Sequence, residues 1–253
     1  MKIIEKLKAA TVERDKADVT IAFLGDSVTQ GCFEIYMKNG EVDTVYEQRN
    51  AYCQSVFDML TTLYPRVHVN IINAGRSGDR ASQGVFRLQR DVLQHRPDLV
   101  VVCYGLNDCR REEGSVDIYR NALTEIFTAV RGEGCELIFM TPNMMNTEIS
   151  AHMSDPRLIK IAADTAGRQN EGFFDAHIEA ARALCIEMDV PVCDCYAIWK
   201  RMFAGGVNIT ELLSNKVNHP TREMHKLFAD SLFEVIFDNS DAKNTENETM
   251  YVK

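Results

Sequence analysis

The sequence predicts an α/β fold: a three-layer, doubly wound, flavodoxin-like sheet of about five parallel strands with helices on both faces. Three observations predict it. Five apolar runs are bounded by turns. Amphipathic helical stripes alternate with them. The residues suited to chemistry directly follow the runs, where ligands bind in open parallel sheets.

The runs are Val19–Leu24, Val67–Asn73, Leu99–Tyr104, Glu136–Thr141 and Val190–Cys195. Their near-continuous apolar character suits strands covered on both faces. Pro191 is compatible only with a strand start. Four stripes read as helices packed on such a sheet. They run through Val56, Leu60 and Leu63; Tyr119, Leu123, Ile126 and Val130; Ile178, Ala181, Cys185 and Met188; and Met224, Phe228, Leu232 and Val235. Ile3, Ile4 and Leu7 suggest a further helix over residues 3–14. Strand–helix–strand alternation calls for right-handed crossovers.

Three segments fall outside the repeat. Residues 33–46 alternate around Asn39-Gly40, a strong hairpin signal, and belong at the rim of the site. Residues 142–174 read as a long connection carrying Met144, Met145, Met153 and Phe173. Residues 238–253 are polar and read as a flexible tail. A single domain over residues 1–237 follows, and 253 residues suffice for a sizeable core.

Composition narrows the function classes. The net charge is −9, from 28 basic and 37 acidic residues, with no Lys/Arg-rich block. That leaves no electrostatic footprint for nucleic acid. No apolar run approaches a bilayer-spanning length, and the charged first twenty residues lack the apolar centre of a secretory signal. Eight scattered cysteines read as buried, reduced thiols of a cytoplasmic protein. Cys193 and Cys195 form a C-x-C pair that packing explains better than a metal, since no second Cys/His cluster accompanies it. No phosphate-binding G-x-G-x-x-G or G-x-x-x-x-G-K-[ST] loop follows the first strand, which argues against a nucleotide or flavin binder.

Four stretches could carry chemistry. Gly25-Asp26-Ser27-Val28-Thr29-Gln30-Gly31 follows the first strand and can expose a serine hydroxyl at a helix start. By itself it also reads as a turn with Asp26 or Ser27 as a cap. Asn73-Ala74-Gly75-Arg76-Ser77-Gly78-Asp79 follows the second strand, where glycine permits a backbone N–H to turn inward. Gly105-Leu106-Asn107-Asp108 follows the third, and an asparagine there can aim an amide donor at an oxyanion. Asn218-His219-Pro220 precedes the last helix, with Pro220 suited to its first turn. His68, His95, His152, His177 and His225 read as surface or satisfied core residues.

Each stretch is modest alone; together they form an ordered Ser, Gly, Asn, His quartet. The chain resembles the SGNH hydrolase superfamily (GDSL-like lipases and acylhydrolases) over roughly residues 20–236. The resemblance implies an esterase with Ser27 as nucleophile and His219 as its base. It implies an oxyanion hole formed by the N–H groups of Ser27 and Gly78 and the side chain of Asn107. Gly78 matches the family glycine better than Gly75 because it follows the serine of the S-G pair. One position departs. The family carries an aspartate three residues before the histidine; here that residue is Lys216, preceded by Asn215. Glu211 is the nearest upstream acid, and nothing in the sequence places it. A Ser–His dyad is therefore expected, assisted by Asn215 or a main-chain carbonyl, with Asp26 as a further supporting residue.

The resemblance implies no metal and no organic cofactor. The favoured partner is a small-molecule ester, an O-acetylated carbohydrate foremost, with neither nucleic acid nor membrane engaged. A lysophospholipase or thioesterase for longer chains, its acyl tunnel lined by the methionines of 140–153, is the alternative. A catalytically impaired ligand-binding protein is a third reading, kept open by the missing aspartate. A homo-oligomer also stays open, since soluble enzymes are often symmetric dimers.

Overall fold

A computed structural model describes residues 1–12 and 18–238. The strands are β1 (Val19–Gly25), β2 (Cys32–Lys38), β3 (Glu41–Tyr46), β4 (Val69–Gly75), β5 (Leu99–Cys103), β6 (Glu136–Met140) and β7 (Val192–Cys193). The helices are α1 (Lys2–Val12), α2 (Ser27–Gln30), α3 (Tyr52–Leu63), α4 (Ala81–Asp91), α5 (Ser115–Gly132), α6 (Pro156–Asn170), α7 (Phe173–Glu187), α8 (Cys195–Ala204) and α9 (Arg222–Phe237). The five strands of the main sheet run in the order β4-β1-β5-β6-β7, and every neighbouring pair is parallel. This is the doubly wound order that the alternation predicts.

Strand alternation assigns the two faces. Ile21 and Phe23 of β1, with Val101 of β5 and Ile138 of β6, point into a core closed by α1, α3, α8 and α9. Ala22 and Leu24, with Val100, Val102 and Phe139, point into a second core closed by α4, α5 and most of α7. A strand buried on both sides has no polar face to alternate with, which is why these runs read as continuously apolar.

The hairpin of β2 and β3 forms a separate antiparallel pair. Asn39 (φ 53°) and Gly40 (φ 86°) both occupy the left-handed region, as a two-residue hairpin turn with the matching twist requires.

Several boundaries differ from the sequence reading. The second parallel strand begins at Val69 and ends at Gly75, two residues later than expected at both ends. The last strand is only Val192–Cys193, and Cys195 already belongs to α8, capped by the Asp194 side chain. The connection 142–174 is not structureless: α6 fills its second half. Its buried side is Ala162, Thr165, Ala166 and Gln169, too polar to register as an apolar stripe. Met144 and Met145 are fully buried in the first core rather than lining an acyl tunnel. Pro220 lies before α9 rather than in its first turn, and Thr221 is the cap.

All eight cysteines are free and buried; the sulfurs of Cys193 and Cys195 lie 3.7 Å apart in the core. Among the described residues, no helix is long and apolar enough to cross a membrane. The expected tail, beyond Asp238, lies outside the described residues.

Candidate active site

Three of the four chemical stretches converge because their strands end side by side. Gly25 stands in register with Gly75 on one side and Cys103 on the other. The short helix α2 folds back over these ends, and that demands glycine. A Cβ on Gly25 would sit 2.1 Å from Thr29 Oγ1, and one on Gly75 would sit 2.2 Å from the backbone nitrogen of Gln30. The Asn73 amide then ties the second stretch to the first by donating to the Thr29 carbonyl at 2.9 Å. The Gln30 side chain accepts from the N–H of Ser77.

The fourth stretch arrives from 192 residues away. His219 Nε2 lies 3.0 Å from Ser27 Oγ, and both residues are buried. His219 Nδ1 lies 2.8 Å from the carbonyl oxygen of Phe33. A carbonyl only accepts, so Nδ1 carries the proton and Nε2 is left with a lone pair facing the serine. Burial pushes the His219 imidazole down to about 4; the Phe33 carbonyl and the more distant Glu34 carboxylate oppose that shift. The ring therefore rests neutral at neutral pH.

Asn215 does not touch the imidazole. Its side-chain oxygen accepts from the backbone N–H groups of Val217, Asn218 and His219. It shapes the loop that delivers the histidine, and the expectation that it accepts from the ring is corrected to that extent. Lys216, where the family carries aspartate, takes a left-handed conformation (φ 57°) and pairs with Glu211 at 2.9 Å. The nearest upstream acid is thus engaged with a lysine rather than with His219.

Phe33, whose main chain meets the imidazole, is held by a clamp that sequence reasoning missed. Arg222, at the start of α9, bonds Glu34 of β2 and Glu47 beyond β3, both through two nitrogens, and its guanidinium lies 4.4 Å over the Phe33 ring. The hairpin is thereby fixed to the helix that follows His219. A main-chain acceptor has no residue-type signature, so only the pairing of a rim hairpin with a nearby Arg could have hinted at it.

The first three stretches also carry hydrogen-bond donors that the fold leaves unspent. Among the described residues, the backbone N–H groups of Ser27 and Gly78 donate to nothing. Gly78 adopts φ +79°, which a side chain would strain. Asn107 Nδ2 donates to the Asp79 carbonyl at 2.9 Å, and its second hydrogen has no protein acceptor there. Buried Arg87, also unforeseen, braces this arrangement. It pairs with Asp79 and donates to the carbonyls of Gly25 and Ala74 at the ends of β1 and β4.

Asp26 is fully buried and caps α2, its Oδ1 accepting from the N–H of Val28. Burial, with Asp108 and Asp79 nearby, pushes its carboxyl up to about 7. Asp108 accepts from the N–H of Ala81 at the start of α4 and is likewise raised by burial to about 7. Asp26 thus sits as a cap, with no contact to His219. A polar cavity of about 690 Å³ opens from Gly78 and Asn107; Ser27 and His219 lie outside its lining. Among the described residues, no cluster of three metal-ligating side chains occurs.

Comparison with known proteins gives the family. Within the curated relatives, an acetylxylan esterase from Geobacillus stearothermophilus is 28% identical over 101 residues, 36% of this chain and 41% of the relative. The chain thus matches less than half the length of that relative. Among solved structures, a two-domain esterase active on acetylated mannans aligns over the whole chain and 55% of its own length, with TM-score 0.62 and 20% identity. A lipase/acylhydrolase from Enterococcus faecalis aligns with TM-score 0.61 and 20% identity, over 86% of this chain and 95% of its own. The crystal structure of an acetylxylan esterase from Geobacillus stearothermophilus aligns with TM-score 0.63 and 19% identity, over 87% and 94%. At such identities these structures speak for the fold. Residues 23–227 match the family of GDSL-like lipases and acylhydrolases, a span that takes in all four converging stretches. By that match the chain belongs to the GDSL-like lipase/acylhydrolase family.

Proposed function

We propose that the protein is a serine carboxylic ester hydrolase that removes a short acyl group, acetyl foremost, from a carbohydrate. The observation that carries this reading is the relay from Ser27 Oγ through His219 to the Phe33 carbonyl, at 3.0 and 2.8 Å. In this mechanism Ser27 Oγ attacks the ester carbonyl as its proton passes to His219 Nε2. The tetrahedral oxyanion is received by the N–H groups of Ser27 and Gly78 and the free amide hydrogen of Asn107. His219 then gives the proton to the departing alcohol, leaving an acyl-Ser27 ester. Water attacks that ester, with His219 again as base, and restores the serine.

A carbonyl fixes the imidazole's tautomer as a carboxylate would. It brings a dipole rather than a full charge to the transient imidazolium. Short acyl groups are favoured because the cavity beside the oxyanion donors is polar and arginine-lined, and because Met144 and Met145 are sealed in the core. The carbohydrate assignment follows the acetylated-xylan and acetylated-mannan activities in the names of the relatives.

A series of p-nitrophenyl esters tests acyl length: the rate is expected to peak at acetate, and a peak at octanoate or beyond would restore the long-chain reading. Fluorophosphonate labelling with mass mapping tests the nucleophile. The adduct is expected on Ser27; a folded but unlabelled protein would support a ligand-binding role instead.

The pH profile follows from the buried imidazole. Its value in the folded state, about 4, lies below the ordinary 6.5. The acid limb of kcat/KM for p-nitrophenyl acetate is therefore expected well below pH 6.5. The stability effect has the opposite use of the same protons. Below pH 6.5 the unfolded chain binds a proton that the folded His219 refuses, so stability is full above 6.5 and falls towards pH 4. His225, held by burial at about 3, acts in the same direction. Melting temperatures at each pH separate the two effects; an acid limb near 6.5 in protein that is still folded would contradict this reading.

A further inference from the structure

The chain carries net charge −9, yet the surface around Gly78 is basic. The cavity that opens from Gly78 and Asn107 is lined by Arg80, Arg110, Arg111 and Arg168, against the acids Glu112 and Asp164. On the other side of Gly78 a neighbouring groove of about 490 Å³ holds Arg76, Arg87 and Arg90, against Asp79. Seven guanidinium groups thus lie along one rim of an acidic protein, against the five carboxylates of Asp79, Asp91, Glu112, Asp164 and Glu171.

The seven are not equivalent. Arg76 is exposed and bonds no carboxylate among the described residues. Arg87 is buried and committed to Asp79 and the strand ends. Arg111 is paired with Asp164 and Glu171, and Arg168 with Asp164 and the Cys109 carbonyl. Arg90 is paired with Asp91. Arg110 reaches only exposed Glu112, at 3.5 Å. Arg80 is half-buried, and its guanidinium bonds no carboxylate among the described residues. Even Asp108, close enough to feel its charge, keeps Oδ2 unbonded. An arginine partly removed from water and left without an acid, two residues from Gly78, is arranged for an external anion.

Given the esterase reading above, on which this inference rests, we propose that the cavity is a subsite for an anionic substituent of the acylated sugar. Arg80 binds the anion, Arg110 assists, and the acyl carbonyl sits at Gly78 and Asn107. The favoured substrates are acetylated sugars carrying a carboxylate or a phosphate, and the planar guanidinium fork suits either by two parallel hydrogen bonds. The paired Arg111 and Arg168 form the far wall.

Three acetylated methyl glucosides test this: the neutral sugar, the corresponding glucuronoside and the corresponding phosphate ester. One of the charged substrates is expected to exceed the neutral one in kcat/KM by on the order of ten-fold, the size of one charge-assisted contact. Which one leads identifies the anion. Raising salt is expected to erase the advantage, and Arg80→Gln to reduce the charged-to-neutral ratio about ten-fold. Equal rates, or a neutral preference, in wild-type protein that hydrolyses p-nitrophenyl acetate would overturn the subsite and leave the esterase standing. If p-nitrophenyl acetate is inert, the esterase reading has failed instead. Calorimetry of Ser27→Ala with digalacturonate and with an uncharged galactose dimer then decides the subsite without turnover. Selective binding of the acid supports it, and equal or absent binding overturns it. The same titration, made with an Arg80→Lys variant, covers the case in which Arg80→Gln does not fold.

Discussion

Ser27→Ala and His219→Ala are each expected to lower kcat for acetyl ester hydrolysis by at least ~10³-fold, and the double variant by no more than either single one. The two side chains share one proton: once the hydroxyl is gone the imidazole has nothing to activate, and without the imidazole the hydroxyl stays a weak nucleophile. The loss has an upper bound of about 10⁶, the value of an intact three-residue relay in other serine hydrolases. The wild-type protein is expected to start lower, because a main-chain carbonyl rather than a carboxylate meets the imidazole. Replacing a triad acid by a neutral group costs about 10⁴ where the tautomer is lost with it. Here the tautomer is kept, so only the charge stabilisation is missing. Single-turnover kinetics on the three variants, with melting temperatures to show folding, provide the check. Additive losses in the double variant would mean that Ser27 and His219 do not act as one unit.

The second large effect is expected at the oxyanion. Asn107→Ala should lower kcat by about 10²–10³-fold with little change in KM, since a donor aimed at developing charge acts mainly in the transition state. Asn107 has a second duty that the experiment must separate. Its amide also donates to the Asp79 carbonyl, beside Gly78, so alanine removes a loop contact as well as a donor. Asn107→Asp sharpens the test. It keeps the shape but presents an acceptor, and often a negative charge, to the oxyanion. The aspartate variant is therefore expected to be at least as impaired as alanine. Equal activity of Asn107→Asp and wild type would remove Asn107 from the oxyanion hole. A fall in melting temperature without a fall in kcat would leave it a loop residue only.

The departures from the sequence reading have physical causes. Helix α8 was hidden because apolar Cys195 and Tyr196 resume the run of the last strand directly after Asp194, so that residue read as part of the strand rather than as the helix cap it is. Helix α4 was hidden because its buried side includes Arg87, Ala81 and Gly84, a stripe with little apolar signal. Glycine is required at that last position because Tyr104 packs against it: a Cβ there would lie 2.6 Å from the tyrosine hydroxyl. In each case tertiary packing supplied what local pattern lacked.

What the amino-acid order alone determined is the architecture and the stretches from which the candidate site is built. Doubly covered strands require apolar runs, strand ends require the glycines that let α2 close over them, and the Ser, Gly and Asn stretches follow those ends, while the His stretch precedes the last helix. What only the tertiary structure decided is how the imidazole is held. Lys216 excludes the usual acid, yet no residue type announces its substitute, because every residue carries a carbonyl. Phe33 was selected by the placement of the hairpin, which Arg222 pins through Glu34 and Glu47. Side chains write their chemistry into the sequence; a main-chain oxygen acquires a role only from the position the fold gives it.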